Sequence, residues 1–254
     1  MARSTATRSS RTPSRSATAD TPDRSNAADD RLRTYRSKRD FTATPEPPAE
    51  AASGSLRVPG PVTGRFVVQR HRASSLHYDF RLEVDGVLAS WAVPRGPTLD
   101  PAQRRLAVRV EDHPLGYFDF EGVIPAHEYG GGDVIVWDWG TYRADPDTPD
   151  PAKAIEGGQF KFELDGEKLE GAFVLVRTAG FGRQRARPRP DGTRAKWLLI
   201  HRRDGAAIPD WDAEDTRRSV KTGRTNEEVS AGRRRPSARR LQRPSPDPRA
   251  SQRL

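Results

Sequence analysis

The residues of this sequence with the clearest potential for chemistry lie between His71 and Arg81. His77, Asp79 and Arg81 alternate there with apolar residues, and this alternation predicts a β-strand with one polar and one apolar face. Side chains two positions apart on a strand are about 6.6 Å apart at the backbone, so His77 and Asp79 can share one ion. A turn across residues 73–75 would bring His71 back to the same place.

The predicted polar face carries a set of metal-ligand types. Two imidazoles and one carboxylate suit a divalent transition metal such as Mn, Zn, Fe or Co, whereas Ca and Mg prefer oxygen ligands. We therefore predict a metal site at His71, His77 and Asp79, although spacing alone does not select the metal. The alternative interpretation is an ordinary solvated strand face.

A second group of residues indicates a phosphate pocket. Arg81, Arg105, Arg109 and His113 would face the metal site if their strands belong to one barrel and turn these side chains inward. Guanidinium groups bind phosphate through paired hydrogen bonds, which would make this a pocket for phosphoryl chemistry. For Arg105 and Arg109 an exposed strand face is the alternative.

Residues near His113 extend this pocket. Glu111 and Asp112 are placed to orient the imidazole of His113. Tyr117 follows His113 by four residues, and it would either donate to a phosphate oxygen or serve as a core aromatic. His127 and His201 lack a partner pattern, and we interpret them as surface or satisfied histidines.

The elements that must position these residues are short strands. About eight apolar or alternating segments are separated by turn signals such as Asp85-Gly86, and few segments have helical periodicity. The pattern predicts an all-β fold, a small closed or strongly curved β-barrel of about eight strands with a few short helices. A body of about 170 residues is enough to bury a core.

Composition and charge set the boundaries of that body. Only 33% of the 254 residues are hydrophobic, and there is no cysteine, which excludes disulfides and thiolate metal sites. Residues 1–34 contain seven Arg against four Asp, and residues 213–254 contain twelve Lys or Arg against five acidic residues. We predict a basic disordered tail over 1–34, a barrel domain over 35–212 and an Arg/Pro-rich basic disordered tail over 213–254. Such tails would either attract nucleic-acid phosphates or simply solubilise the chain.

A series of short motifs occurs in a fixed order along the chain. They are KRDF (38–41), PEP (45–47), RFVVQRH (65–71), LHYDFRLE (76–83), WAVPRGP (91–97), RLAV (105–108), VEDHPL (110–115), FEG (120–122) and GDVIVWD (132–138). Together they resemble the 3′-phosphoesterase module of bacterial DNA ligase D. The resemblance runs from about residue 35 to residue 204, and Arg95 stands where that family commonly has Lys.

The resemblance implies a β-barrel enzyme dependent on Mn²⁺, or on Co²⁺ or another divalent transition metal. It would remove a 3′-terminal ribonucleotide and then the 3′-phosphate, leaving a 3′-hydroxyl. The implied metal ligands are His71, His77 and Asp79. The implied catalytic residues are Arg81, Arg105, Glu111, His113 and Tyr117. The implied substrate-binding residues are Arg39, Asp40, Glu46 and Arg95.

The resemblance also implies partners. We expect a monomeric cytoplasmic protein, without membrane attachment, that acts on primer-template 3′ ends in double-strand break end joining. A separate ATP-dependent DNA ligase or polymerase and a Ku-type end-binding protein would work beside it. Two alternatives stay open: a non-haem Fe(II) oxygenase using His77, Asp79 and His113, and a non-catalytic nucleic-acid-binding barrel with basic arms.

Overall fold

The computed structural model describes residues 24–50, 62–178 and 194–232. Within these ranges the chain forms ten strands and four short α-helices. The strands are β1 Thr63–Arg72, β2 Leu76–Val84, β3 Val87–Val93, β4 Arg104–Arg109, β5 His113–Pro114, β6 Gly122–Ile124, β7 Gly132–Ala144, β8 Gln159–Gly166, β9 Glu170–Arg177 and β10 Lys196–His201. The helices are α1 Arg24–Arg31, α2 Arg33–Ser37, α3 Pro151–Gly157 and α4 Asn226–Ser230, with 3₁₀ turns at Leu115–Asp119 and Ala213–Thr216.

Eight antiparallel strands close into a barrel. Their order is β1-β2-β3-β4-β10-β9-β8-β7, and β7 pairs again with β1. The short strands β5 and β6 pair with β3 and β7 respectively and lie outside this circuit. The predicted all-β barrel of about eight strands is therefore confirmed.

The hairpin between β2 and β3 fixes which side chains of β2 point into the barrel and which point outward. Asp85 and Gly86 both have positive φ, 51° and 81°, as a two-residue hairpin turn of the right twist requires. Tyr78, Phe80 and Leu82 on β2 then point into the barrel, where each is at most 1% exposed. Burial of such side chains supplies about 1.5–3 kcal/mol each.

The polar residues of β2 consequently lie on the outer surface of the barrel. The phosphate pocket was predicted on the condition that the polar side chains turn inward, and β2 does not meet this condition, because Tyr78 and Phe80 already occupy the interior. A second layer covers this outer wall and buries it. Apolar residues of the layer and of the wall beneath it form one cluster: Tyr35, Leu88, Tyr117, Phe120, Ile124 and Val134.

The folded region extends beyond the predicted domain limits at both ends. Residues 24–34 are not disordered, since α1 and α2 form there and Leu32 is fully buried against Val87. Residues 213–232 are also folded. Asn226 in α4 is fully buried, donates to the carbonyls of Arg70 (3.1 Å) and Asp133 (2.9 Å), and accepts from Arg70 Nη1 (2.7 Å). A few well-placed polar and apolar contacts order these basic segments, whereas residues 1–23 and 233–254 lie outside the described ranges.

A search of the described helices finds none with the length and apolarity that crossing a membrane requires.

The contacts of Asn226 predict that the C-terminal segment stabilises the barrel. Asn226→Ala leaves two buried carbonyls and one guanidinium N–H unpaired, so we expect the free energy of unfolding to fall by about 2–4 kcal/mol in urea denaturation. The neighbouring Glu227→Ala removes surface contacts, an ion pair with Arg72 and a hydrogen bond with Thr225, and should cost about 0–1 kcal/mol. Equal losses in the two variants would contradict this role.

Candidate metal and phosphate site

The pairing of β1 with β2 brings the predicted metal ligands together. His71 lies directly opposite His77 in the antiparallel register, and Gln69 lies opposite Asp79. The two imidazole rings are 4.7 Å apart between centroids. One ligand atom from each of His71, His77 and Asp79 lies within 4.8 Å of the others, so the predicted turn back to His71 is present.

Backbone carbonyls orient both imidazoles towards Asp79. His71 Nε2 is 2.8 Å from the carbonyl oxygen of Gly130, and His77 Nδ1 is 3.0 Å from that of Ser75. Each of these nitrogens must donate its hydrogen to the carbonyl. The opposite nitrogens, His71 Nδ1 and His77 Nε2, then carry lone pairs and lie 3.4 and 3.8 Å from Asp79 Oδ2. This arrangement of ring nitrogens is typical of metal-ligating histidines.

The third donor is an ionised carboxylate. Burial acts to raise the pKa of Asp79, but the positive charge of the Arg81 guanidinium opposes it, and that pKa lies below its usual range. Arg81 Nη2 lies 3.2 Å from Asp79 Oδ2. Two imidazole lone pairs and one carboxylate oxygen on a buried wall fit a divalent transition metal.

Arg81 is held rigidly beside this donor set. The residue is 2% exposed, and besides Asp79 it donates to Gln69 Oε1 (2.8 Å) and Ser90 Oγ (2.9 Å). Gln69 is itself fixed because its amide donates to the carbonyls of Tyr117 (3.1 Å) and Phe120 (2.9 Å). A guanidinium fixed in this way is preorganised for an anion next to the metal ligands.

His113 is neutral in this arrangement. Its Nδ1 donates to the carbonyl oxygen of Glu111 at 2.9 Å, and its Nε2 accepts from Arg39 Nη2 at 3.3 Å. Burial, together with the guanidiniums of Arg81 and Arg39, holds the pKa of His113 well below its usual value. Glu111 therefore orients His113 as predicted, but through its main chain.

The segment after α2 closes the site from outside. Arg39 is a salt-bridge partner of Glu46 (2.8 Å) and of Glu111 (3.4 Å). The Tyr117 hydroxyl donates to the same Glu46 carboxylate at 3.0 Å, and burial followed by the charge of Glu46 holds the pKa of Tyr117 well above its usual value. Asp40 does not join this network, since it is exposed and accepts from Thr42.

Three residues of the site were missed from the sequence. Gln69 and Ser90 hold Arg81, and Lys38 donates to the Glu111 carboxylate at 2.8 Å. Gln69 lies opposite Asp79 in the register, so the hairpin pairing was the signal that could have found it. Lys38 lies in the KRDF motif, whereas Ser90 has no comparable sequence signal.

Comparison with known proteins shows which family the region around this site resembles. Residues 69–177 match the sequence model of the DNA Ligase D 3′-phosphoesterase domain. This part of the chain belongs to the DNA ligase D 3′-phosphoesterase family. The chain is 50% identical over 182 residues to the multifunctional non-homologous end joining protein LigD of Pseudomonas aeruginosa, covering 69% of this chain and 19% of that protein.

Mycobacterial relatives give the same result. The LigD proteins of Mycobacterium tuberculosis and Mycolicibacterium smegmatis are 46% identical over 154 residues and 44% identical over 162 residues, each covering 59% of this chain. The chain matches only about a fifth of the length of these curated relatives, 19% and 20% respectively.

Arg105, which lies in one of the family motifs, is placed apart from His113 and Arg81. Arg105 of the phosphoesterase domain is 2% exposed on the interior-facing side of β4, opposite Leu199 of β10. Burial and the nearby charge of Arg95 lower the pKa of Arg105, and its charged neighbours are Arg95, Asp100 and Asp212. Its Nε has no hydrogen-bond partner among the described residues.

The remaining predicted arginine is also placed elsewhere. Arg109 packs over the ring of Trp91 at 4.6 Å and pairs with Asp112.

The set of His77, Asp79 and His113 that the oxygenase interpretation requires is not formed within the described residues, because the Nε2 atom of His113 faces Arg39 and not Asp79.

The buried state of His113 predicts a pH dependence of stability. Folding lowers the pKa of His113, so the unfolded chain binds more protons below its own value of about 6.5. We expect the free energy of unfolding of the metal-free protein to fall as the pH drops below that value, by up to about 1.4 kcal/mol per pH unit. His113→Gln should reduce this slope. Proton NMR showing a His113 ring that is protonated at pH 6 in the native protein would contradict the assignment.

Proposed function

We propose that this chain is a metal-dependent phosphoesterase that processes DNA 3′ ends, with Mn²⁺ held by His71, His77 and Asp79. The observation that carries the proposal is the direct contact between Asp79 of the donor set and Arg81, at 3.2 Å. A phosphate next to the ion is then within reach of a guanidinium. When bound, Mn²⁺ supplies polarisation of a phosphate oxygen and a lowered pKa for a bound water.

In this proposal, the side chains of Arg81 and His113 act directly on the reacting phosphate ester. Arg81 neutralises the charge that develops on the phosphate oxygens. His113 either binds a phosphate oxygen or protonates the leaving oxygen. Both roles need a proton on Nε2, which in the free protein accepts from Arg39, so phosphate binding must displace that contact and bring a proton to the ring.

The substrate assignment rests on the family and on the neighbouring charges. We propose removal of a 3′-terminal ribonucleotide and of the 3′-phosphate that remains, within DNA end joining, because the related proteins are named for non-homologous end joining. Lys38 and Arg39 border the site from one side. At the barrel end, Arg95 is exposed and would contact a phosphate of the bound strand, while the buried Arg105 lies close to it. A DNA ligase, a polymerase and a Ku-type protein are the partners that this role would require.

A matched pair of histidine variants tests the metal site. On a primer-template ending in one ribonucleotide, we expect the full chain with Mn²⁺ to trim the end and release phosphate. His77→Ala removes one ligand and should lower the rate at least about 100-fold. His127→Ala removes a histidine that is 79% exposed at its side chain and should retain full activity.

Several outcomes of this assay would contradict the proposal. Trimming that is absent in the parent chain, or unchanged in His77→Ala, would refute metal-dependent phosphoesterase chemistry. Salt-sensitive binding of DNA ends by metal-free protein, without cleavage when Mn²⁺ is present, would favour the non-catalytic binding barrel instead.

A charge-conserving substitution tests the role of Arg81. Lysine cannot reproduce two hydrogen bonds and an ion pair from one planar group, so Arg81→Lys should lower kcat for 3′-phosphate release by about 100-fold. Arg109→Lys is the matched control, since Arg109 also pairs with an aspartate but lies away from the donor set. The two variants should bind Mn²⁺ equally in calorimetric titration. Equal turnover in both would contradict a phosphate contact by Arg81.

A further inference from the structure

Tyr129 is an exposed aromatic residue at the edge of the site. It lies in the turn between β6 and β7, and 48% of its surface is exposed. Burial in the core therefore does not explain this large ring. Its immediate neighbours in space and in sequence belong to the two halves of the phosphoesterase site.

The backbone ties Tyr129 to the metal ligands. The next residue, Gly130, accepts from His71 Nε2 through its carbonyl oxygen at 2.8 Å. Gly130 has a φ of +79°, a conformation that glycine adopts without strain. The turn is also tightly closed, because a Cβ at Gly131 would lie 2.6 Å from the carbonyl oxygen of Pro125. The position of Tyr129 relative to His71 is thus fixed by the main chain.

The side chain of Tyr129 is tied to the phosphate side of the site. Lys38 Nζ donates to the Tyr129 hydroxyl at 3.1 Å and to Glu111 Oε2 at 2.8 Å. The same ammonium lies 4.5 Å from the centre of the Tyr129 ring, and the guanidinium of Arg39 lies 5.5 Å from it. Arg39 in turn donates to His113. The ring therefore borders both halves of the site, with two cations beside it.

We propose that Tyr129 is the stacking platform for the nucleobase of the 3′-terminal nucleotide, the one whose 3′-phosphate lies at Arg81 and His113. This inference rests on the proposed function. An exposed aromatic ring with cations beside it offers stacking to the base and attraction to the strand's phosphates. Because every base has a π-face, stacking positions the terminal phosphate without selecting a base. The protein would thus accept any terminal base.

The binding test uses a primer-template whose 3′-phosphorylated terminal nucleotide carries 2-aminopurine. The full chain with Mn²⁺ should quench the fluorescence of this base, because stacking on an aromatic ring quenches it. Tyr129→Ala should abolish the quenching and weaken binding by about 5- to 150-fold. Tyr129→Phe keeps the ring and should retain both quenching and affinity. Ile208→Ala, at another exposed apolar residue, should behave like the parent chain.

An abasic terminal nucleotide separates stacking from any other role of Tyr129. The parent chain should bind the abasic primer as weakly as Tyr129→Ala binds the intact one, and Tyr129→Ala should lose nothing further. Three results would each overturn the proposal. They are quenching by Tyr129→Ala equal to that of the parent chain, an equal loss of affinity by this variant on both primers, and no binding of the primer by the parent chain. Quenching by a parent chain that releases no phosphate would refute the proposed function while leaving the stacking site intact.

Discussion

The antiparallel register between β1 and β2 is the constraint on which the rest of the site depends. It sets His71 opposite His77 and Gln69 opposite Asp79, so that metal donors and the support for Arg81 come from adjacent strands. A slip of one residue on β2 would send His77, Asp79 and Arg81 into the aromatic interior and Tyr78, Phe80 and Leu82 outward. Burial of those three apolar side chains therefore fixes the position of the polar ones.

The second layer turns this outer wall into a buried electrostatic network. Arg39 links Glu46, Glu111 and His113 across the interface between the N-terminal segment and the barrel. Buried charges of this kind cost desolvation energy and are kept only when each has partners. In the proposed function Arg81 would already be in place before substrate binds, because Gln69 and Ser90 hold it. His113 would still have to exchange its contact with Arg39 for one with the phosphate.

Sequence alone predicted the fold and the proximity of His71, His77 and Asp79, but not the side of the barrel on which they lie. An alternating strand has two faces, and the alternation does not show which face packs against the core. Here the layer that covers the polar face comes from segments distant in the sequence. Arg105 illustrates the same limit: its strand was predicted, yet its side chain lies with Arg95 and Asp212. Segments 24–34 and 213–232 were predicted to be disordered from their composition. Their order depends on a few residues, such as Leu32 and Asn226, which have little effect on the average composition of a segment.

A crystallographic map of anomalous scattering from manganese, with a 3′-phosphorylated primer bound, tests the central claim most directly. We expect one manganese peak bonded to His71 Nδ1, His77 Nε2 and an Asp79 oxygen. We also expect a phosphate beside that peak that contacts Arg81 and His113, on the outer wall of the barrel. A peak at other residues, or a phosphate bound away from Arg81 and His113, would contradict that claim.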